Sequence, residues 1–284
     1  MLSKFLENTV SLPRDRVVEQ KVRSSCTGLF LFATVLFLLS GCVSPPYGQK
    51  GSVFLETGEQ SGTAGSPVLR VEKDTMDTER GPYGVTTVVL RTDAVVLPVM
   101  DGTEVPDTAL LVMTTPWEKS ESLERVPVGV FAVDGTVLSP PVPPYWALHF
   151  DGPLTTVDFL PQDGLIPEGL VAGGFFPLVL EGRSVASRFP GGSIRAARVA
   201  LAVACKHGGG YTVAIVTTEG SGLLRQGPTT IEFAEWLQRE GYNRALNLDG
   251  GRSAAVVLPD GGVLPRGVVF RRPGPVGIAI FVVP

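Results

Sequence analysis

Beyond about position 84 the chain alternates short apolar runs with turn residues, a rhythm that predicts strands far more often than helices. Strand stretches read at Val85–Val99, Ala109–Thr114, Val126–Val133, Leu154–Leu160, Gly169–Val171, Leu178–Leu180, Val199–Cys205, Tyr211–Thr218, Ala245–Asp249, Ala254–Leu258, Val268–Arg271 and Val276–Val283. Asp134-Gly135, inside Phe131–Val137, has the form of a hairpin turn. One stretch keeps helical spacing, from Thr230 to about Glu240, with Ile231, Ala234 and Leu237 on a common face. Thr229 precedes it as an N-cap, Glu232 completes a capping box, and Gly241 supplies the stop. Many strands, mostly close neighbours in sequence, with one clear helix predict an α+β fold of mostly antiparallel or mixed β-sheet with few helices.

The first 42 residues follow a different pattern. Arg14, Arg16, Lys21 and Arg23 precede an apolar run from Gly28 to Leu39, the length of a signal-peptide core and short for a membrane span. The run ends Leu39-Ser40-Gly41-Cys42, which resembles a bacterial lipobox. That resemblance implies a lipoprotein signal peptide over 1–42, acylation at Cys42, and a protein held on a membrane of the bacterial cell envelope, facing the periplasm or the exterior. Residues 43–80 are rich in Gly, Ser, Pro, Thr and Glu and read as a flexible tether, which leaves 81–284 as the folded domain.

Composition narrows the chemistry. Of 284 residues 44% are hydrophobic and only 18% charged, while 34 Gly and 24 Pro favour turns and short strands. Beyond position 42 there are 19 basic and 25 acidic residues, so electrostatics gives no reason to expect nucleic acid. The three cysteines are Cys26, Cys42 and Cys205; with Cys205 alone in the body, an inert buried thiol is expected, with no internal disulfide and no thiolate metal site. The two histidines, His149 and His207, are far apart in sequence, which argues against a histidine metal centre; no metal and no cofactor are expected.

The densest candidate chemistry lies in Ala245-Leu246-Asn247-Leu248-Asp249-Gly250-Gly251-Arg252-Ser253. Strand alternation puts Leu246 and Leu248 on one face and Ala245, Asn247 and Asp249 on the other. An amide and a carboxylate are thus delivered side by side, followed by two glycines that let a ligand approach the backbone, then a guanidinium and a hydroxyl. Such a cradle suits a sugar or a phosphodiester, although an Asp-Gly turn of purely structural purpose has the same letters. Gly173-Gly174-Phe175-Phe176 marks a second close approach of backbone. Trp146, His149 and Phe150 read as ordinary core aromatics more readily than as a sugar-stacking wall.

Taken together, Gly173–Phe176, Arg198 opening an apolar strand, Gly227-Pro228-Thr229-Thr230-Ile231-Glu232-Phe233-Ala234, the Ala245–Ser253 string and the Arg272-Pro273 close resemble the phosphodiester glycosidase domain over about residues 84–284. The resemblance implies hydrolysis of a glycosyl phosphodiester or a related glycan linkage, with a carbohydrate or glycosyl-phosphate substrate. It implies a cleft built from Arg198, Thr229, Glu232, Asn247, Asp249, Gly250, Gly251 and Ser253, beside Gly173 and Gly174. Asp249 would be the principal catalytic carboxylate and Glu232 the second; Arg198 and Arg252 would hold phosphate and Asn247 a sugar hydroxyl. Three positions depart from the family pattern: Ala172 stands where Asn is usual, Glu219 where Asp is usual, and Ala202 where Gly is usual. The alternative is a non-catalytic glycan-binding or structural envelope lipoprotein that keeps the family fold.

Overall fold

The computed structural model describes residues 65–100, 103–115, 117–119, 125–205, 210–220, 227–250, 256–264 and 277–283. In chain order the strands are β1 (Val68–Thr78), β2 (Gly81–Leu90), β3 (Val95–Val99), β4 (Leu110–Met113), β5 (Trp117–Lys119), β6 (Arg125–Pro127), β7 (Phe131–Val133), β8 (Thr136–Ser139), β9 (Trp146–Phe150) and β10 (Asp158–Pro161). They continue as β11 (Leu170–Gly173), β12 (Pro177–Leu180), β13 (Arg183–Ser184), β14 (Arg198–Cys205) and β15 (Tyr211–Thr218). The α-helix α1 (Thr230–Arg239) follows, then β16 (Arg244–Asn247), β17 (Val256–Val257), β18 (Val263–Leu264) and β19 (Gly277–Phe281). The fold is α+β and mostly antiparallel, as the strand rhythm predicts. No helix among the described residues is long and apolar enough to cross a membrane.

The largest sheet runs β1-β2-β15-β14-β16-β12-β13; two five-stranded sheets run β10-β9-β11-β7-β8 and β18-β17-β4-β19-β3. Alternation along the central strands assigns their two faces to two cores. Val199, Leu201 and Val203 of β14, Val213 and Ile215 of β15, and Leu246 of β16 enter a core shared with residues of both five-stranded sheets, among them Phe131, Leu148 and Ile278. The opposite face carries Ala200, Ala202, Ala214 and Ala245, and against these small side chains α1 seats Phe233, Ala234, Trp236 and Leu237. A methyl group at these positions leaves room for the helix's aromatic residues to reach the sheet. Ala202 therefore lies on the helix-facing surface, where small volume is what the packing requires.

Local expectations hold at several points. β7 and β8 form a hairpin in which Asp134 and Gly135 have φ of 47° and 76°, the positive pair that a two-residue turn needs to match strand twist. In α1 the Thr229 hydroxyl accepts from the Glu232 amide at 3.1 Å, and the Glu232 carboxylate accepts from the Thr229 amide at 2.7 Å, closing the capping box.

Two expectations are corrected. The expected tether spans 43–80, but Val68–Thr78 is a full strand pairing with β2 from Val68↔Leu90 to Thr78↔Gly81. As an edge strand it buries little besides Val68 and Met76 and is otherwise polar and part-exposed, so its apolar signal is faint. Cys205, expected as an inert thiol, is half-buried at the end of β14 and disulfide-bonded. The signal and lipobox, with Cys42, also lie outside them, as do His207 and the strand expected at Val268–Arg271.

Candidate functional site

β16 ends at Asn247 in the middle of the largest sheet, flanked by β14 and β12. Its register, Ala200↔Asn247 and Leu201↔Leu246, sets Asn247 beside the start of β14, where Arg198 stands. Beyond the strand, Leu248 N–H still donates to Val199 carbonyl at 2.9 Å, and Asp249 N–H donates to Thr114 carbonyl at 3.1 Å. The backbone is thereby held through the acid on both sides, and Asn247 and Asp249 are both buried.

The glycine pair reaches this place from far upstream. Phe175 N–H donates to Asn247 carbonyl at 2.9 Å, and Asn247 N–H donates to Phe176 carbonyl at 3.1 Å. Gly174 explains how the chains come so close. A Cβ there would lie 2.7 Å from Leu246 Cδ2 and 3.2 Å from Asn247 carbonyl oxygen, well inside contact distance. Gly250 meets a similar constraint, since its Cβ would fall 2.9 Å from Ala197 carbonyl oxygen. The two motifs that sequence placed in one site are therefore directly hydrogen-bonded.

A cleft of about 330 Å³ opens over this junction, within the range that ligand sites occupy. Arg198, Asn247, Asp249 and Thr230 form its buried polar floor, and Gly250 borders it. Tyr145, Phe175, Phe176 and Phe189 are half-buried around it, with Ile194 exposed at the rim. Gly251, Arg252 and Ser253 lie outside the described residues.

Arg198 is the unusual member. Its side chain donates to Ile194 carbonyl, its Nε is buried with no hydrogen-bond acceptor, and among the described residues no carboxylate pairs with it. Burial pushes its pKa down from the ordinary arginine value to about 10, so it stays cationic at neutral pH. Asn247 Oδ1 is likewise buried and accepts no hydrogen bond. A donor and an acceptor left unsatisfied on one cleft floor carry a desolvation cost that a polar ligand removes.

Arg195 and Glu232 sit differently. Arg195 donates to both carboxylate oxygens of Glu232, at 2.9 and 3.0 Å, and bonds Gly227 carbonyl at 3.3 Å. Burial opposes ionisation of Glu232, but the Thr229 amide, Arg195 and the Thr229 hydroxyl together hold its carboxyl below the ordinary glutamate range. Neither Glu232 nor Thr229 borders the cleft; both are occupied in capping α1, and the next residue, Thr230, faces the cleft instead. Gly173 lies outside the cleft wall as well, its N–H donating to Val130 carbonyl at 2.7 Å in the sheet interior.

Trp146 and Phe150 pack into the shared core, as ordinary β-sheet aromatics do, and His149 bonds Glu168 carbonyl at 2.8 Å. Ala172 is fully buried in the same core. The sequence did not single out Tyr145, Phe189 or Ile194. Each stands in a loop without period, so only the spatial closure of the chain reveals them. Among the described residues no group of His, Cys, Asp and Glu is arranged to hold a metal ion.

Residues 112–282 match the family model described as phosphodiester glycosidase. Among solved structures, the chain is similar to a hypothetical protein from Synechocystis at 16% identity and TM-score 0.54, covering 75% of this chain and 62% of that one. It is also similar to the catalytic domain of zebrafish N-acetylglucosamine-1-phosphodiester alpha-N-acetylglucosaminidase, auto-inhibited by its pro-peptide, at 15% identity and TM-score 0.53, covering 75% of this chain and 81% of that one. At such identities the likeness is one of fold. The chain spans less than two thirds of the Synechocystis protein. No curated protein matches it.

Proposed function

The chain belongs to the phosphodiester glycosidase family, and from that premise we propose that it hydrolyses a glycosyl phosphodiester, or a related glycan linkage, in the cleft over Asn247 and Asp249. The observation that carries the proposal is the buried polar floor: a carboxylate, an amide and an arginine that no described carboxylate pairs with, open to one cleft.

In this reading the bond between the anomeric carbon and the phosphate oxygen breaks. The phosphate monoester leaves with the bonding electrons, and water supplies the new hydroxyl of the sugar. Positive charge grows on the sugar ring as the bond stretches, and Asp249 stabilises it, by proximity, by attack or by activating the water. Arg198 holds the phosphate oxygens and offsets the charge of the leaving group, so a strong general acid is unnecessary. Asn247 takes a sugar hydroxyl. Gly250 keeps the backbone low enough for close approach, and Gly251, Arg252 and Ser253, next in sequence, are assigned to the phosphate. Glu232 and Thr229 act on this site through the helix start they stabilise. Thr230 faces the ligand from the positive end of α1, which favours an anion.

The same proposal sets the protein on a membrane of the bacterial cell envelope, with Cys42 acylated and the residues after it serving as tether. The basic flank, the apolar run and the Leu39–Cys42 string support this part.

Full-chain protein incubated with a panel of glycosyl-1-phosphodiesters tests the reading, with free reducing sugar as the measured product. Release that Asp249→Asn abolishes supports hydrolysis. Binding of the diesters with no sugar release above the protein-free background would put the non-catalytic glycan-binding reading in its place.

A further inference from the structure

The cleft changes character between floor and rim. Its polar side chains, Arg198, Asn247, Asp249 and Thr230, are all buried. Above them the described side chains are mostly apolar: Phe175, Phe176 and Phe189 are half-buried, Pro190 is exposed, and Ile194 exposes 61% of its surface, with the Tyr145 hydroxyl the one polar side-chain group among them. Among the described residues bordering the cleft, no charged side chain stands at the rim.

The rings are also engaged with one another. Phe176 and Phe189 stack with centroids 4.8 Å apart and planes 21° apart. Tyr145 meets Phe175 and Phe176 edge to face, at 5.3 and 5.2 Å. A sugar needs a free ring face and several hydrogen-bond partners for its hydroxyls; these rings turn faces and edges to each other, and among the described residues above the floor the Tyr145 hydroxyl is the one side-chain partner. A hydrocarbon needs neither, only apolar surface to leave water. Ile194 at 61% exposure is apolar surface of that kind, held beside the floor because its own carbonyl accepts from Arg198.

We propose that the group on the far side of the substrate's phosphate, the one that crosses the rim, is apolar: an alkyl, acyl-bearing or isoprenoid chain rather than a second sugar. This rests on the reading of the floor as the glycosyl phosphate site and names the class of diester that fits it. Phe189 and Ile194 select for the chain, while Arg198 fixes the phosphate from which it hangs.

Binding of phosphate monoesters, which are the leaving groups of the reaction, tests this without requiring turnover. Titration calorimetry on the full chain compares hexyl phosphate, methyl phosphate and mannose 6-phosphate. Each buried methylene multiplies affinity by roughly fourfold, so even a half-exposed chain should make hexyl phosphate bind at least about tenfold tighter than methyl phosphate. Ile194→Gln, at an exposed position, should cut that ratio severalfold, and Phe189→Ser should do so independently. Equal affinity for hexyl and methyl phosphate, tighter binding of mannose 6-phosphate, binding of none of the three, or a ratio untouched by both variants overturns the proposal. A hexyl preference in a protein that releases no sugar from any diester would instead remove the hydrolytic function and leave the apolar arm standing.

Discussion

Arg195 and Glu232 form a two-pronged ion pair at the start of the helix, while Arg198, three residues further on, pairs with no described carboxylate and lines the cleft. The two arginines thus divide the work. One clamps the helix start, and the other waits for an anion.

The clamp predicts the behaviour of Glu232→Gln. The amide keeps the acceptor for Thr229 N–H and loses the charge that faces Arg195. Stability should fall by about 1 kcal/mol, or a few degrees in Tm, with kcat reduced no more than severalfold. Because folding holds the Glu232 carboxyl below its ordinary range, the wild-type advantage is present above the ordinary glutamate pKa. It is lost as pH falls through the depressed value of the folded state. Thermal melts of both proteins from neutral into acid pH should therefore converge at the acid end. A loss of kcat as large as that of Asp249→Asn, with Tm unchanged, would assign Glu232 to the chemistry instead.

Asp249→Asn is isosteric and should leave the melting temperature nearly intact while reducing kcat by roughly a thousandfold or more. A carboxylate beside the reacting centre contributes most in the transition state. Sugar release from a glycosyl phosphodiester measures it, and near-wild-type turnover would exclude Asp249 from the reaction.

Gly174→Ala probes the crossing of the two motifs. The new methyl lands 2.7 Å from Leu246 Cδ2. That side chain is fully buried, and Asn247 carbonyl lies just behind, so neither neighbour can move freely. A cost of about 1–3 kcal/mol is expected from overpacking. A displaced Asn247 should also raise KM for the diester, a split that separates this substitution from a generic core defect read by denaturant melts alone.

Much of this arrangement was legible in the amino-acid sequence because it rests on period and punctuation. Alternation at 245–249 predicted the separation of Leu246 and Leu248 from Ala245, and the cores divide them so. The capping box at Thr229 and Glu232 was equally plain. What the letters concealed was competition for the same side chain. Glu232 fits both a cap and a catalytic pair, and only geometry shows Arg195 and the Thr229 amide already claiming its carboxylate. The polar edge strand Val68–Thr78 was hidden because only Val68 and Met76 of its own residues are buried, leaving no apolar alternation to read. Phe189 and Ile194 were hidden because a loop has no period at all.

Arg198 yields the most discriminating prediction, since its contribution to stability and its contribution to binding have opposite sign. Folding lowers the guanidinium pKa to about 10 through burial, so below that value the unfolded chain holds the proton more favourably than the folded one. The buried charge therefore costs stability throughout neutral pH, on the order of a few kcal/mol at about 1.4 kcal/mol per pKa unit, and the cost is relieved only as pH rises through about 10. Replacing it by a neutral side chain of similar length, Arg198→Met, should leave Tm unchanged or raise it by a few degrees despite loss of the bond to Ile194 carbonyl. Phosphate binding requires the proton and should behave oppositely. It should weaken at least tenfold in Arg198→Met at pH 7, and in the wild type it should decline as pH rises through about 10. Calorimetric titration with methyl phosphate, alongside thermal melts of the same samples, measures both. An Arg198→Met protein that is markedly less stable yet binds phosphate as before would return Arg198 to a purely structural role.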